Sequence, residues 1–339
     1  MEIGNWVTAG YYAQLYPELR QLGLEPNIAE LETFGLTVLT PEQVAAPGLH
    51  ERVLEAVLRV AERRSGVRPD LTGGDSHRGM SHPLGQIMRY MLWEDPVFEE
   101  VLLNPAMLGI ATWMLGPTCI LSLCNAMLKG PGRNAMALHT DEGDRTMPLL
   151  HGAGMTLNAT FILNDYTRDG GALTFIPGSH RWRREPTPTE VLAFAKQAVP
   201  VEAPAGSIVI WGDHMWHGSL PRKIPGLRAT FFFNLARHTL QTQEPYRDTC
   251  TQEALDRRPK RFAVLMDQFG TYPYREEDEN YARGAERLKY ISLFDREPTN
   301  GSILLRSKLP ARPIPAPAQP PRSPYAQAVV PSTPDPVLV

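Results

Sequence analysis

The stretch Ala137-Leu138-His139-Thr140-Asp141 decides how this chain is read. Side chains two apart on a strand share a face. With 135–141 extended, His139 and Asp141 point together and Thr140 points away. One imidazole and one carboxylate on a common face are two members of the 2-His-1-carboxylate triad, which holds non-haem Fe(II) and leaves positions open. His217 is the expected third ligand. Arg228 is the expected anchor for an acidic cosubstrate, because its planar fork matches a carboxylate in a bidentate way. Ser219, two residues from His217, shares its face and adds a hydroxyl. A single His-x-Asp arises often by chance, so the surrounding pattern has to carry the reading.

That pattern is one of short strands. From Thr118 the residues read as β runs near 119–128, 135–141, 155–163, 172–176, 208–211, 215–219 and 228–235, separated by Gly, Pro, Asn and Asp turns. Such spacing predicts a sandwich or barrel, and a jelly roll of about eight strands is the natural candidate. The turn Pro221–Leu227 is expected to lay the His217 and Arg228 strands side by side. Upstream, residues 1–35 read as mainly helical and 36–39 as a strand. Thr40-Pro41-Glu42-Gln43 has the form of a capping box. Leu49, Val53, Val57 and Ala61 recur at four-residue spacing, so a helix near 49–64 presents one apolar face. Residues 65–86 read as loop and 87–115 as helix again.

We expect one domain over 1–309: a helical part to 117, a β-barrel core at about 118–240 and a mixed part from 241. Ten of the last 30 residues are proline, which predicts an extended, disordered tail from Pro310. The fold class is thus mainly β with flanking helices.

Composition narrows the function. The 339 residues are 42% hydrophobic and 21% charged with a net charge of −3, which suits a globular core and gives no polybasic signature for nucleic acid or anionic membrane. Three cysteines without a Cys-x-x-Cys argue against a disulfide framework or a structural zinc site. MEIGNWVTAG lacks a basic region followed by an apolar run, and no run of about 18 apolar residues occurs. A cytoplasmic protein acting on a small molecule is the expectation.

At this point the motifs resemble a family. His139-Thr-Asp141, Gly171-Ala-Leu-Thr-Phe-Ile-Pro-Gly-Ser-His180, and Gly206-Ser-Ile-Val-Ile-Trp running into Trp216-His217-Gly-Ser219, with Arg228 eleven on, occur in the order and spacing of the phytanoyl-CoA dioxygenase family of Fe(II)/2-oxoglutarate oxygenases. The resemblance covers roughly 25–240. It implies a double-stranded β-helix, the cupin-like jelly roll. It also implies Fe(II) on His139, Asp141 and His217, and 2-oxoglutarate on Arg228 and Ser219. O2 would be the oxidant, and succinate and CO2 would be released as an unactivated C–H bond is hydroxylated. Asn125 matches a position that is often polar near the cosubstrate. Thr160 stands where many members carry a bulky aromatic.

Other readings stay beside this one. A non-catalytic jelly-roll binding protein would need neither the triad nor Arg228. A cupin-like metal enzyme without a keto acid would need no buried guanidinium. Halogenation would require the carboxylate position to be free, and Asp141 fills it; desaturation or rearrangement remains open. His77, His82 and His151 read as solvated loop residues, His180 as a loop-structuring residue, and Lys129 as a solvated lysine. His214 and Trp216 should point away from the metal, while Trp211 lines the barrel. Met147, Leu149, Leu150 and Met155 suggest a partly apolar lid. Removing 311–339 should leave turnover unchanged, measured on the truncated and full-length proteins side by side.

Overall fold

Alternating runs form ten strands among the residues described by the structure, a computed structural model that covers 15–73, 85–131, 135–141 and 154–269. These are β1 (Leu36–Leu39), β2 (Gln86–Met88), β3 (Ile120–Lys129), β4 (Met136–His139), β5 (Thr156–Ile162), β6 (Leu173–Phe175), β7 (Val199–Pro200), β8 (Ile208–Gly212), β9 (His217–Ser219) and β10 (Arg228–Ala236). They make a six-stranded sheet in the order β1-β8-β5-β10-β3-β2 and a four-stranded sheet in the order β4-β9-β6-β7. Every pairing is antiparallel. The two sheets and their flanking helices form the jelly roll that the sequence implies.

The larger sheet has two unlike faces. One carries Cys124, Ala126 and Leu128 of β3, Ala159 and Phe161 of β5, and Phe231 and Phe233 of β10. These pack with Val53 and Val57 of helix Leu49–Ser65, Phe98 of Pro96–Leu102 and Met107 of Pro105–Leu115. Phe98 and Phe231 stack with ring centroids 4.4 Å apart. The other face turns toward the smaller sheet, and there the residues alternate in as Lys129, Met127 and Asn125, Arg228, Thr230 and Asn234, and Thr160 and Asn158.

Local chemistry sets the helix ends. Thr40 accepts from Gln43 N, and the Gln43 side chain accepts from Thr40 N, closing the expected capping box. Helix Leu49–Ser65 buries Leu49, Val53, Val57 and Ala61 as the spacing required.

Two expectations are corrected. Ile87 and Met88 are not helical; they lie in β2, which borrows the free edge of β3. β9 and β10 do not lie side by side. The segment between them crosses from one sheet to the other, so His217 and Arg228 reach a common interior from facing sheets. His77, His82, His151, most of the 142–155 connection and the tail lie outside the described residues. No described helix is long and apolar enough to cross a membrane.

Phe231 is fully buried between Phe98 and Phe233. Phe231→Ala should cost about 3–5 kcal/mol through lost transfer energy and an unfilled cavity, read as a lower urea midpoint with unchanged slope.

Candidate metal centre and anion pocket

β4 and β9 bring the two histidines together. Met136 pairs with Ser219 and His139 with His217, so three steps along β4 match two along β9. The extra residue is a bulge that re-aims the strand. Without it, Met136 and His139 would face opposite sides; with it, both line the interior cavity. Gly218 permits the close pairing, because a Cβ there would lie 2.5 Å from Met136 O. The imidazole centroids are 4.3 Å apart.

Asp141 follows β4, its backbone N donating to Asp213 O at 3.2 Å. Its Oδ1 is 3.7 Å from His139 Nε2 and its Oδ2 is 3.4 Å from His217 Nε2. One donor atom from each of the three residues lies within 4.8 Å of the others. Thr140 points away, its hydroxyl donating to Glu185 at 2.7 Å.

Backbone carbonyls choose the tautomers. His139 Nδ1 lies 2.8 Å from Ala137 O and His217 Nδ1 lies 3.0 Å from Met215 O. A carbonyl only accepts, so each Nδ1 carries the proton and each Nε2 lone pair is left facing the cluster. Asp141 is fixed in the same manner: Asn158 Nδ2 donates to its Oδ2, and Asn234 Nδ2 donates to Asn158 Oδ1 at 2.9 Å. Burial disfavours the Asp141 charge, but the imidazoles of His217 and His139 outweigh it and hold the carboxyl down at about 2. Burial pushes His217 below its ordinary value. Burial pulls His139 the same way, but Asp141 overrides it and raises that imidazole. Two imidazoles and an ionised carboxylate on one wall are a donor set for a divalent transition metal.

The cavity, about 140 Å³, extends from this cluster past Trp211, Leu173 and Tyr166 to Ser219 and Arg228. Arg228 is 2% exposed. It donates to Gly171 O, sits 5.2 Å from the Tyr166 ring centroid, and its Nε has no hydrogen-bond partner. The carboxylates of Asp165 and Asp213 accept from backbone N–H groups of Ala205, Met155 and Thr156.

The structure brings His139, Asp141, His217, Arg228, Ser219 and Thr160 around one cavity. Asn125 is buried on the interior face of β3 opposite Phe232 and is not among the lining residues. Trp211 lines the cavity, Trp216 is core, and His214 lines a different cavity, as does His180, whose Nδ1 would be 2.5 Å from a Cβ on Gly35. Lys129 is corrected outright: it is not solvated but fully buried, donating to Ser219 Oγ at 2.9 Å and Leu220 O at 2.7 Å. Asn158, Asn234 and Tyr166 were missed. For Asn158 the signal was available, since Thr156, Asn158 and Thr160 are polar at every second place in a strand.

Comparison with known proteins gives a consistent picture. The family model described as "Phytanoyl-CoA dioxygenase (PhyH)" matches residues 37–230. "Dioxygenase af480" of Aspergillus fumigatus is 32% identical over 126 residues, covering 37% of this chain and 40% of that protein. An uncharacterised Mycobacterium tuberculosis protein, Rv1501, is 32% identical over 141 residues, covering 39% and 49%. The chain thus spans less than half the length of these relatives. Among solved structures, the carbocyclase SnoK from nogalamycin biosynthesis superposes with a TM-score of 0.50 at 18% identity, covering 63% of this chain and 84% of that one. HygX from Streptomyces hygroscopicus, with nickel and 2-oxoglutarate bound, gives 0.50 at 16%, covering 64% and 88%. At such identity the likeness concerns the fold.

Protons and metal compete for the same Nε2 atoms. Metal affinity, titrated with Co(II) and followed by its visible bands, should fall as pH drops through the raised titration of His139. Asp141→Asn should weaken it at every pH, and a flat pH profile would contradict the donor set.

Proposed function

Because this chain belongs to the phytanoyl-CoA dioxygenase family, we propose that it is an Fe(II)- and 2-oxoglutarate-dependent dioxygenase that hydroxylates an unactivated C–H bond of a small, fairly apolar metabolite. One observation carries the reading. A single cavity has a His-Asp-His donor set at one end and, at the other, a buried guanidinium with no ion pair to a carboxylate among the described residues. A buried charge without a counter-ion costs several kcal/mol, so that end suits an anionic ligand. 2-Oxoglutarate matches both ends: a keto acid for the metal and a distal carboxylate for the cation.

His139, Asp141 and His217 would hold Fe(II), which supplies the oxidative chemistry when bound, with O2 consumed and succinate and CO2 released. The Nδ1–carbonyl bonds fix the tautomer and aim of both imidazoles with Nε2 forward, and Asn158 keeps the Asp141 carboxylate from turning. Arg228 would clamp the distal carboxylate through its fork, and Ser219 would add a hydroxyl donor. Trp211, Leu173 and Met127 give the cavity an apolar wall. Thr160, in place of an aromatic, widens the cosubstrate wall. Asp141 fills the position that a halide would need, which favours oxygenation over halogenation. The domain serving this site is taken as 1–309 with its core at 118–240, and the dioxygenase name of the Aspergillus relative agrees with the reading.

Succinate formed from 2-oxoglutarate by the aerobic Fe(II) protein is the first test. Its absence, in the presence of a broad metabolite mixture, would sink the proposal. Truncating one partner of a buried charge pair costs about 2–5 kcal/mol, so Arg228→Ala should weaken 2-oxoglutarate binding at least about thirtyfold. Arg228→Lys, which keeps the charge and loses the fork, should fall between. Anaerobic titration of the Fe(II) protein, following the charge-transfer band, measures both, and metal binding should survive in each variant.

A further inference from the structure

Lys129 ends β3 directly opposite Arg228, the first residue of β10. Like charges opposite each other on antiparallel strands repel, and here both are buried, Lys129 at 0% and Arg228 at 2% exposure. Among the described residues neither forms an ion pair with a carboxylate. The neighbouring Arg222 has carbonyl acceptors at Gly226, Gly170 and Pro225, whereas Arg228 Nε has no acceptor at all. Two adjacent buried cations without an anion would be unfavourable in a closed core. Beside an anion site they are compensated.

The Lys129 contacts give the second half of the argument. Its ammonium donates to Ser219 Oγ and to Leu220 O, and so reaches across from the larger sheet to the end of β9. A serine hydroxyl has one proton to give and two lone pairs. With one lone pair taken by Lys129, the Ser219 O–H is left to donate, and Ser219 lines the cavity beside Arg228.

We propose that Lys129 is a positioning residue of the anion subsite: it orients the Ser219 hydroxyl as a donor to the bound carboxylate and supplies that carboxylate with a second positive charge beside Arg228. The inference rests on the 2-oxoglutarate reading above and names how this chain strengthens its cosubstrate end. A purely structural lysine would tie β3 to the β9 corner and be indifferent to ligand.

Proton linkage separates the two roles. Burial, and then the charge of Arg228, bring the Lys129 ammonium down to about 7. The groups that face it are Arg228 from β10, with Arg222 beyond, and the uncharged hydroxyl of Ser219 at the end of β9 and carbonyl of Leu220 after it. From the β2 side comes Gly85, which does not titrate. In the empty protein at pH 8, Lys129 is therefore mostly neutral. An arriving carboxylate favours its charged form, so binding takes up a proton. The sign for stability follows: a lowered lysine costs folding stability below about pH 7, and that cost fades as pH rises toward the unfolded value near 10.5.

Isothermal titration of 2-oxoglutarate into the anaerobic Fe(II) protein at pH 8, in two buffers of different ionisation enthalpy, reads proton uptake and affinity together. Wild type should take up most of a proton. Lys129→Met should take up none and bind about tenfold more weakly or worse, as loss of a charge-assisted contact implies. Ser219→Ala should bind more weakly and keep the uptake. Lys129→Met should also unfold at higher urea than wild type at pH 6, with the gap closing by pH 10, a readout that needs no ligand. Wild-type affinity and uptake in Lys129→Met would overturn the inference, as would a lower urea midpoint at pH 6. If wild type binds no 2-oxoglutarate, the functional reading fails by itself. Succinate, a dicarboxylate without the keto group, then decides the subsite: uptake lost in Lys129→Met keeps the inference, and no uptake in wild type overturns it.

Discussion

A side chain on a strand can face only one of two sides, and the larger sheet of this protein puts its polar and ionisable residues on one of them. Apolar residues face the helices, where Phe231, Phe161 and Ala126 meet Phe98, Val57 and Met107. The polar and ionisable residues face the smaller sheet, set among Met127, Ile162, Val209, Trp211 and Phe232. That inversion of the usual exterior makes the space between the sheets chemically active rather than inert. It holds because β10 pairs with β3 on one side and β5 on the other. A one-residue slip in either ladder would send Arg228 or Asn158 to the helix face.

The two ends of the interior are built differently, and each difference has a physical cause. At the metal end, loose side chains would place donor atoms poorly, so every donor is held from behind. Backbone carbonyls fix both imidazoles and a chain of two asparagines fixes the carboxylate. Asp213 adds a third restraint: its carbonyl accepts from Asp141 N while its carboxylate accepts from Met155 and Thr156 at the start of β5. The strand that carries Asn158 and the residue that Asn158 holds are thereby joined through one buried residue.

At the other end the problem is charge rather than geometry. Guanidinium and ammonium groups keep their charge inside a protein only where something negative or strongly dipolar faces them. Gly171 O, Leu220 O, Ser219 Oγ and the Tyr166 ring face supply dipoles, and the remaining attraction is directed into the cavity. On the reading proposed above, a cavity polarised in this manner suits a ligand with a metal-chelating head, a short apolar waist and an anionic tail.

Much of this was legible in the residues alone. Period-two runs bounded by Gly and Pro turns determine a β sandwich whatever the partners, because alternation is a local property of the chain. The His139-x-Asp141 spacing likewise marks one imidazole and one carboxylate for a common face, whereas His217, Ser219 and Arg228 were pointed to by the order of motifs that carries the family resemblance. The polar alternation Thr156, Asn158, Thr160 was equally local and was available to be read. Tertiary structure decided what depends on contacts between distant segments. It set β9 and β10 in facing sheets, turned β4 by a bulge so that His139 meets His217, and recruited Ile87 and Met88 to a strand edge rather than a helix. It also buried Lys129, which no pattern along the chain distinguishes from a solvated lysine, because burial is conferred by Ser219 and Leu220, some ninety residues away.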